Sequence, residues 1–171
     1  MVKTFLIVLL LTLGVFSPNA ATADGPETFT GHGKSAAGDG SVDFIPVGFL
    51  TTGEPVTAII KTSTGWNDLK GAIIETTHRS VAKYTDEPGG FAGVGNGTMT
   101  ISLRNGTVLT GHFTFELSGH VNSSFQLVDL HDEGVFQAEG AGIQAQGNFV
   151  LDFDASAHPT VNTFDVVGQF Q

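Results

Sequence analysis

The chain has 171 residues, no cysteine, 23 glycines, 14 phenylalanines and a formal net charge of −10. These numbers exclude a disulfide-stapled mini-domain, thiolate metal sites and cysteine nucleophiles. Seven basic residues against 17 acidic ones leave no electrostatic footprint for nucleic acid, and 40% apolar with 14% charged residues is the composition of a folded domain.

Residues 1–23 have the three parts of a secretory signal peptide. Lys3 supplies the positive start, Phe5 to Phe16 the apolar run, and Ala21-Thr22-Ala23 a small-residue cleavage motif. The run is shorter than the ~20 residues a membrane-spanning helix needs. An uncleaved anchor is the alternative. Cleavage removes Lys3 and no acid, leaving 148 residues with 6 bases and 17 acids. The expectation is a secreted or periplasmic protein with one domain, 24–171, and no stable membrane span. Export permits disulfides, yet this chain has none, so its stability rests on packing and backbone hydrogen bonds.

In chain order, Gly38-Asp39-Gly40-Ser41-Val42-Asp43 has some oxygen ligands of a calcium loop but no terminal glutamate, and reads as a hairpin turn. Val42-Phe44 and Val47-Phe49 flank Pro46, which implies an edge strand or a break. Val56-Ala58-Ile60 is a short strand. Residues 66–87 are ambiguous. Leu69, Ile73 and Tyr84 fit a helical face, whereas Ile73-Ile74, Thr76-Thr77 and Val81 are β-branched; strand is the first reading and a single helix the second.

Thr98 to Leu117 is the clearest element. Met99, Ile101 and Leu103 alternate with polar residues, as do Leu109, Gly111, Phe113, Phe115 and Leu117 beyond Asn105-Gly106. A two-residue Asn-Gly loop would mix apolar and polar side chains on both faces. A three-residue loop, 104–106, pairs Ile101 with Leu109 and puts every odd apolar residue on one face. Register follows the buried face, so the odd loop is predicted, with Gly106 in the left-handed bulge position.

Val121–Leu130 and Val135-Phe136 read as two more strands. Ile143, Ala145, Gly147, Phe149, Leu151 and Phe153 share one face of the next. Residues 155–159 form a polar turn, and Phe164, Val166, Gly168 and Phe170 alternate beyond it. About 8–10 antiparallel strands with one apolar face each make an all-β domain, either a β-barrel or a two-layer β-sandwich.

Two segments share a pattern: Gly90-Phe91 followed by Gly93, Gly95 and Gly97, and Gly134-Val135-Phe136 followed by Gly140 and Gly142. The pattern resembles the Gly-x-Phe…Gly-x-Gly turn of small secreted eight-stranded barrels of the allene oxide cyclase and dirigent type. It covers about residues 89–153, and Phe91–Gly95 and Phe136–Gly140 are spaced by four where that family leads one to expect five. The resemblance implies a barrel and an apolar ligand; no catalytic residue of those families can be placed on this chain.

The expected ligand is an apolar small molecule lodged among Phe113, Phe115, Phe149, Phe153 and Phe164, with no cofactor and no nucleic acid. His131, Asp132 and Glu133 form the densest set of possible metal ligands, just before Gly134, where a solvated polar turn is the competing reading. Trp66 beside Asn67-Asp68 is either a sugar platform or a packing plug. His112 and Glu116 share an outer face. The function expected is non-catalytic binding. The alternatives are a structural domain with a solid core, an isomerase- or cyclase-like enzyme with polar residues inside the barrel mouth, and a small outer-membrane barrel.

Overall fold

The computed structural model describes residues 26–157 and 161–171. The expected leader, 1–23, lies outside them, as do residues 158–160 of the region around the expected 155–159 turn. Nine strands make up the fold: β1 (Glu27–Ala37), β2 (Ser41–Ile45), β3 (Gly48–Thr64), β4 (Ile73–Tyr84), β5 (Gly90–Ser102), β6 (Val108–Val121), β7 (Leu127–Gly140), β8 (Ile143–Asp154) and β9 (Val161–Phe170). They form one antiparallel sheet in the order β1-β9-β8-β7-β6-β5-β4-β3-β2. β1 also pairs with the second half of β3, from Thr30 opposite Thr64 to Ala37 opposite Val56, so the sheet closes in a barrel-like ring. β2 stays outside the ring, paired with the first half of β3 across the turn at Pro46-Val47. Closure gives most strands a neighbour on both sides, which is how a cysteine-free sheet avoids open edges.

The β5–β6 hairpin has the predicted register. Ile101 stands opposite Leu109 and Met99 opposite Gly111. Arg104, Asn105 and Gly106 form the loop, with Gly106 at φ +88 and its N–H donating to the Leu103 carbonyl at 3.0 Å. The alternative register would have turned Ile101 and Leu109 to different faces.

Two local expectations are corrected, and one region takes the first of its two readings. Residues 66–87 form a strand and no α-helix, continuing as β4 after a single 3₁₀ turn, Asn67–Leu69. Its alternation of Ile74, Ser80 and Ala82 inward with Ile73, Thr77 and Val81 outward satisfies the period of a strand. Residues 121–130 are not one strand. β6 ends at Val121, and the Asn122 side-chain oxygen accepts from the Ser124 and Gln126 N–H groups at 2.9 and 3.1 Å, closing a turn before β7. The two glycine-phenylalanine segments run largely within β5 and β7 rather than forming turns.

The core is the inner face of the ring. Phe91, Phe113, Phe115, Phe136, Phe149 and Phe164 are buried, packed with Met99, Ile101, Leu109 and Leu117. The two ends differ. At the end where β3 leads into the 3₁₀ turn, Trp66 stacks on Phe170 with ring centroids 4.5 Å apart and meets Phe29 at 5.5 Å. Trp66 is therefore the packing plug. The opposite end is hollow.

Candidate functional site

The hollow end is a cavity of about 180 Å³ that opens to solvent at its rim. Its walls are aromatic: Phe49 on β3, Phe91 on β5 and Phe115 on β6. Phe44 from β2 and Phe125 from the β6–β7 turn also line it, and their rings meet at 5.8 Å in an edge-to-face pair. Both are largely exposed, and Phe125 holds a left-handed backbone at φ +59. For a bulky side chain that conformation is strained. It occurs at the cavity rim.

Polar side chains converge on the same space. Thr51 and Ser80 are buried and satisfy each other through hydroxyls 2.7 Å apart, with the Ser80 N–H donating to Thr51 Oγ1 at 3.1 Å. Glu54 on β3 and His78 on β4 are paired, with Nε2 3.4 Å from Oε2. The His78 ring also stands edge-on to Phe115 at 5.3 Å and 87°. Asp132 enters from β7 and is 8% exposed. Its Oδ1 is buried and has no hydrogen-bond partner. A carboxylate withdrawn from water is destabilised in its charged form. Burial pushes the Asp132 pKa up to about 7; Glu54 and Asp152 add to the rise, and His78 and His131 oppose it.

A local irregularity delivers Glu54. Thr51 faces inward, and two residues later Gly53 would be expected to do the same. Instead β3 shifts register against β4 between Thr52 and Glu54, with Gly53 at φ +65. The extra residue reverses the parity, so Glu54 lines the cavity and Ala58 and Ile60 enter the core. Bulges re-aim side chains in this way.

A second space of about 30 Å³, with room for about one water molecule, lies deeper. Phe113, Phe149 and Phe164 line it, and Phe115, His78 and Asp132 border both spaces. Of the five expected ligand-lining phenylalanines, four are therefore placed around these spaces. Phe153 is half-buried and borders neither. His131, Asp132 and Glu133 do not converge. They lie in β7, where alternation turns Asp132 inward and leaves the other two exposed. His131 instead pairs with Asp152 on β8 at 2.6 Å. Among the described residues, no three potential ligands are grouped to hold a metal ion.

Two larger hollows, about 820 and 800 Å³, lie along the outer surface of β5–β9 and β1. Outward glutamine, asparagine and threonine line much of them, with His112 and Glu139 the only ionisable side chains among the described residues. Glu116, expected beside His112, is exposed and lines neither. The inner cavity is smaller, but it is where buried Asp132 and half-buried Glu54 and His78 meet apolar walls, the pattern of a ligand site.

No family model, curated protein or solved structure matches this chain. The site therefore stands on its own chemistry: an aromatic chamber with one paired and one unpaired carboxylate on its wall. Sequence reasoning missed Glu54 and His78. The signal for His78 is the inward alternation Ile74-Thr76-His78-Ser80-Ala82, and for Asp132 the alternation Asp132-Gly134-Phe136-Ala138.

Proposed function

We propose that this chain is an exported binding protein that holds a small, largely apolar molecule inside its ring. The observation that carries the reading is the 180 Å³ chamber walled by Phe49, Phe91 and Phe115. A cavity of ~150 Å³ lined by apolar side chains is enough to hold benzene, so this chamber suits a single-ring ligand. A structural domain has no need of such a space, because unfilled volume forfeits packing energy. The outward residues of β6, Thr110, His112, Thr114, Glu116 and Ser118, are exposed and polar, which favours water over lipid around the ring.

The test is toluene, titrated into the purified protein while its thermal midpoint and ligand-observed NMR signals are followed. Saturable binding with a rise in midpoint is expected, because a ligand that binds only the folded state stabilises it. If neither toluene nor a polar single-ring analogue of its size binds saturably, the proposal fails.

A second reading is an isomerase- or cyclase-like enzyme. Its support is the inward cluster of Glu54, His78 and Asp132, with a carboxyl group poised near neutrality. Turnover of a bound compound, abolished in Asp132→Asn, would favour this reading.

A further inference from the structure

We propose that the molecule held in the end cavity carries a protonated nitrogen, which the carboxylate of Asp132 receives. This rests on the binding reading above and adds the chemical class of the ligand.

Asp132 Oδ1 is a buried acceptor without a donor, on a side chain that lines the cavity. Buried polar atoms are nearly always paired, and an unpaired one carries its full desolvation penalty. Its neighbours do not supply the missing donor. His78 directs Nε2 to Glu54 at 3.4 Å, and Thr51 and Ser80 are spent on each other. His131 faces outward and donates to Asp152. A ligand N–H fits the vacancy.

Charge points the same way. Glu54 and Asp132 bring two carboxylates to the chamber, and among the described residues His78 is the one basic side chain that lines it. A cation on the ligand brings the chamber towards neutrality, whereas a carboxylate there would be a third acid. Phe115 borders Asp132's part of the wall and presents a ring to the cation. A fatty acid or aromatic acid is thereby disfavoured, and a compact aromatic amine is favoured.

Four single-ring probes of matched size test this: toluene, benzyl alcohol, benzoate and benzylamine. Benzylamine should bind roughly 10-fold or more tightly than benzyl alcohol, as a charge-assisted hydrogen bond would give, and benzoate should bind most weakly. Asp132→Asn should weaken benzylamine by roughly 10–100-fold and abolish its preference over benzyl alcohol. In the unchanged protein, benzylamine affinity should rise between about pH 5 and pH 8 as Asp132 ionises, while toluene affinity stays flat. The groups facing Asp132 during that titration are Glu54, His78, His131 and Asp152. Benzoate or benzyl alcohol binding as tightly as benzylamine overturns the proposal. So does a benzylamine affinity indifferent to both pH and Asp132→Asn. Should toluene bind while benzylamine shows no preference, only the ligand class is lost. Should none of the four bind, the binding reading falls and takes this inference with it.

Discussion

Glu54 and His78 stand directly opposite each other on β3 and β4, one residue beyond the bulge at Gly53, with 3.4 Å between Nε2 and Oε2. Four of the five histidines in the described residues have such a carboxylate directly across the sheet: His32 with Asp165, His78 with Glu54, His120 with Asp129 and His131 with Asp152. Three of these pairs lie on the outer face and are solvated. The His78–Glu54 pair lies on the inner face because the bulge reverses parity. Its partner on the cavity wall, Asp132, has no such cross-strand base and remains unpaired.

That unpaired acid makes the empty protein less stable as pH rises. In the unfolded chain Asp132 ionises near its ordinary value of 3.8, whereas in the fold it holds its proton to about 7. Between those values the native state binds more protons than the unfolded state, so stability falls with increasing pH and levels off above about 7. The span corresponds to a penalty on the order of 4 kcal/mol at alkaline pH. Asp132→Asn removes the titration. Its thermal midpoint should match the unchanged protein near about pH 4 and exceed it increasingly toward about pH 8. Parallel pH profiles for the two proteins would show that Asp132 is not held protonated.

Gly95 and Phe115 are cross-strand partners on β5 and β6. A Cβ at Gly95 would lie 2.2 Å from Phe115 Cζ and 2.5 Å from Cε1. Gly95→Ala must therefore push the ring off its rotamer and into the cavity. The expected cost is ~1–3 kcal/mol, read from denaturant midpoints, together with weaker toluene binding. Phe115→Leu in the same background should recover part of that cost. Additive effects of the two changes would show that the ring does not occupy the space over Gly95.

Most of the fold is legible because its signal repeats. Period-two alternation locates the β5–β6 hairpin and its register, and the inner face of β8 and β9, without any tertiary information. The site is less legible because it depends on single departures from that period. Glu54 faces inward only because one residue, Gly53, is left out of the β3–β4 pairing, and Val47-Phe49 and Val56-Ala58-Ile60 appear as separate short strands when that bulge is not seen. Asp132 is hidden differently. Its neighbours His131 and Glu133 suggest a polar cluster, although adjacent residues in a strand point to opposite faces. The Phe44–Phe125 contact joins two elements 81 positions apart and has no local signature.

His120 gives a prediction independent of the cavity. Its ring N–H groups face Asp129 at 3.0 Å and Glu87 at 3.3 Å. The hydrogen bond to Asp129, then that to Glu87, raises its pKa above the ordinary 6.5. The charged pairing supports the fold fully below 6.5 and is lost as pH rises through the elevated value. An NMR titration should place the His120 midpoint above that of a free imidazole. Asp129→Asn should lower it more than Glu87→Gln. Because the groups are exposed, salt should reduce the elevation. An equal response to the two substitutions would contradict the leading role of Asp129.

Trp66 allows the two ends of the ring to be separated experimentally. It is the one tryptophan in the chain and is buried against Phe170 and Phe29, at the end away from the Glu54–His78–Asp132 chamber. The 3₁₀ turn holds it there: the Leu69 N–H donates to the Trp66 carbonyl at 3.0 Å, and Leu69 itself is 2% exposed. Trp66→Ala should cost ~3–5 kcal/mol, the range for emptying a large aromatic from a core, while toluene affinity in the folded fraction stays unchanged. In the unchanged protein, tryptophan emission should move to longer wavelength on unfolding in denaturant and should not move when toluene saturates the native state. A toluene-dependent shift in native emission would place the ligand at the plugged end and against the chamber assigned here, because the indole stacks on Phe170 and Phe29 and does not line that chamber.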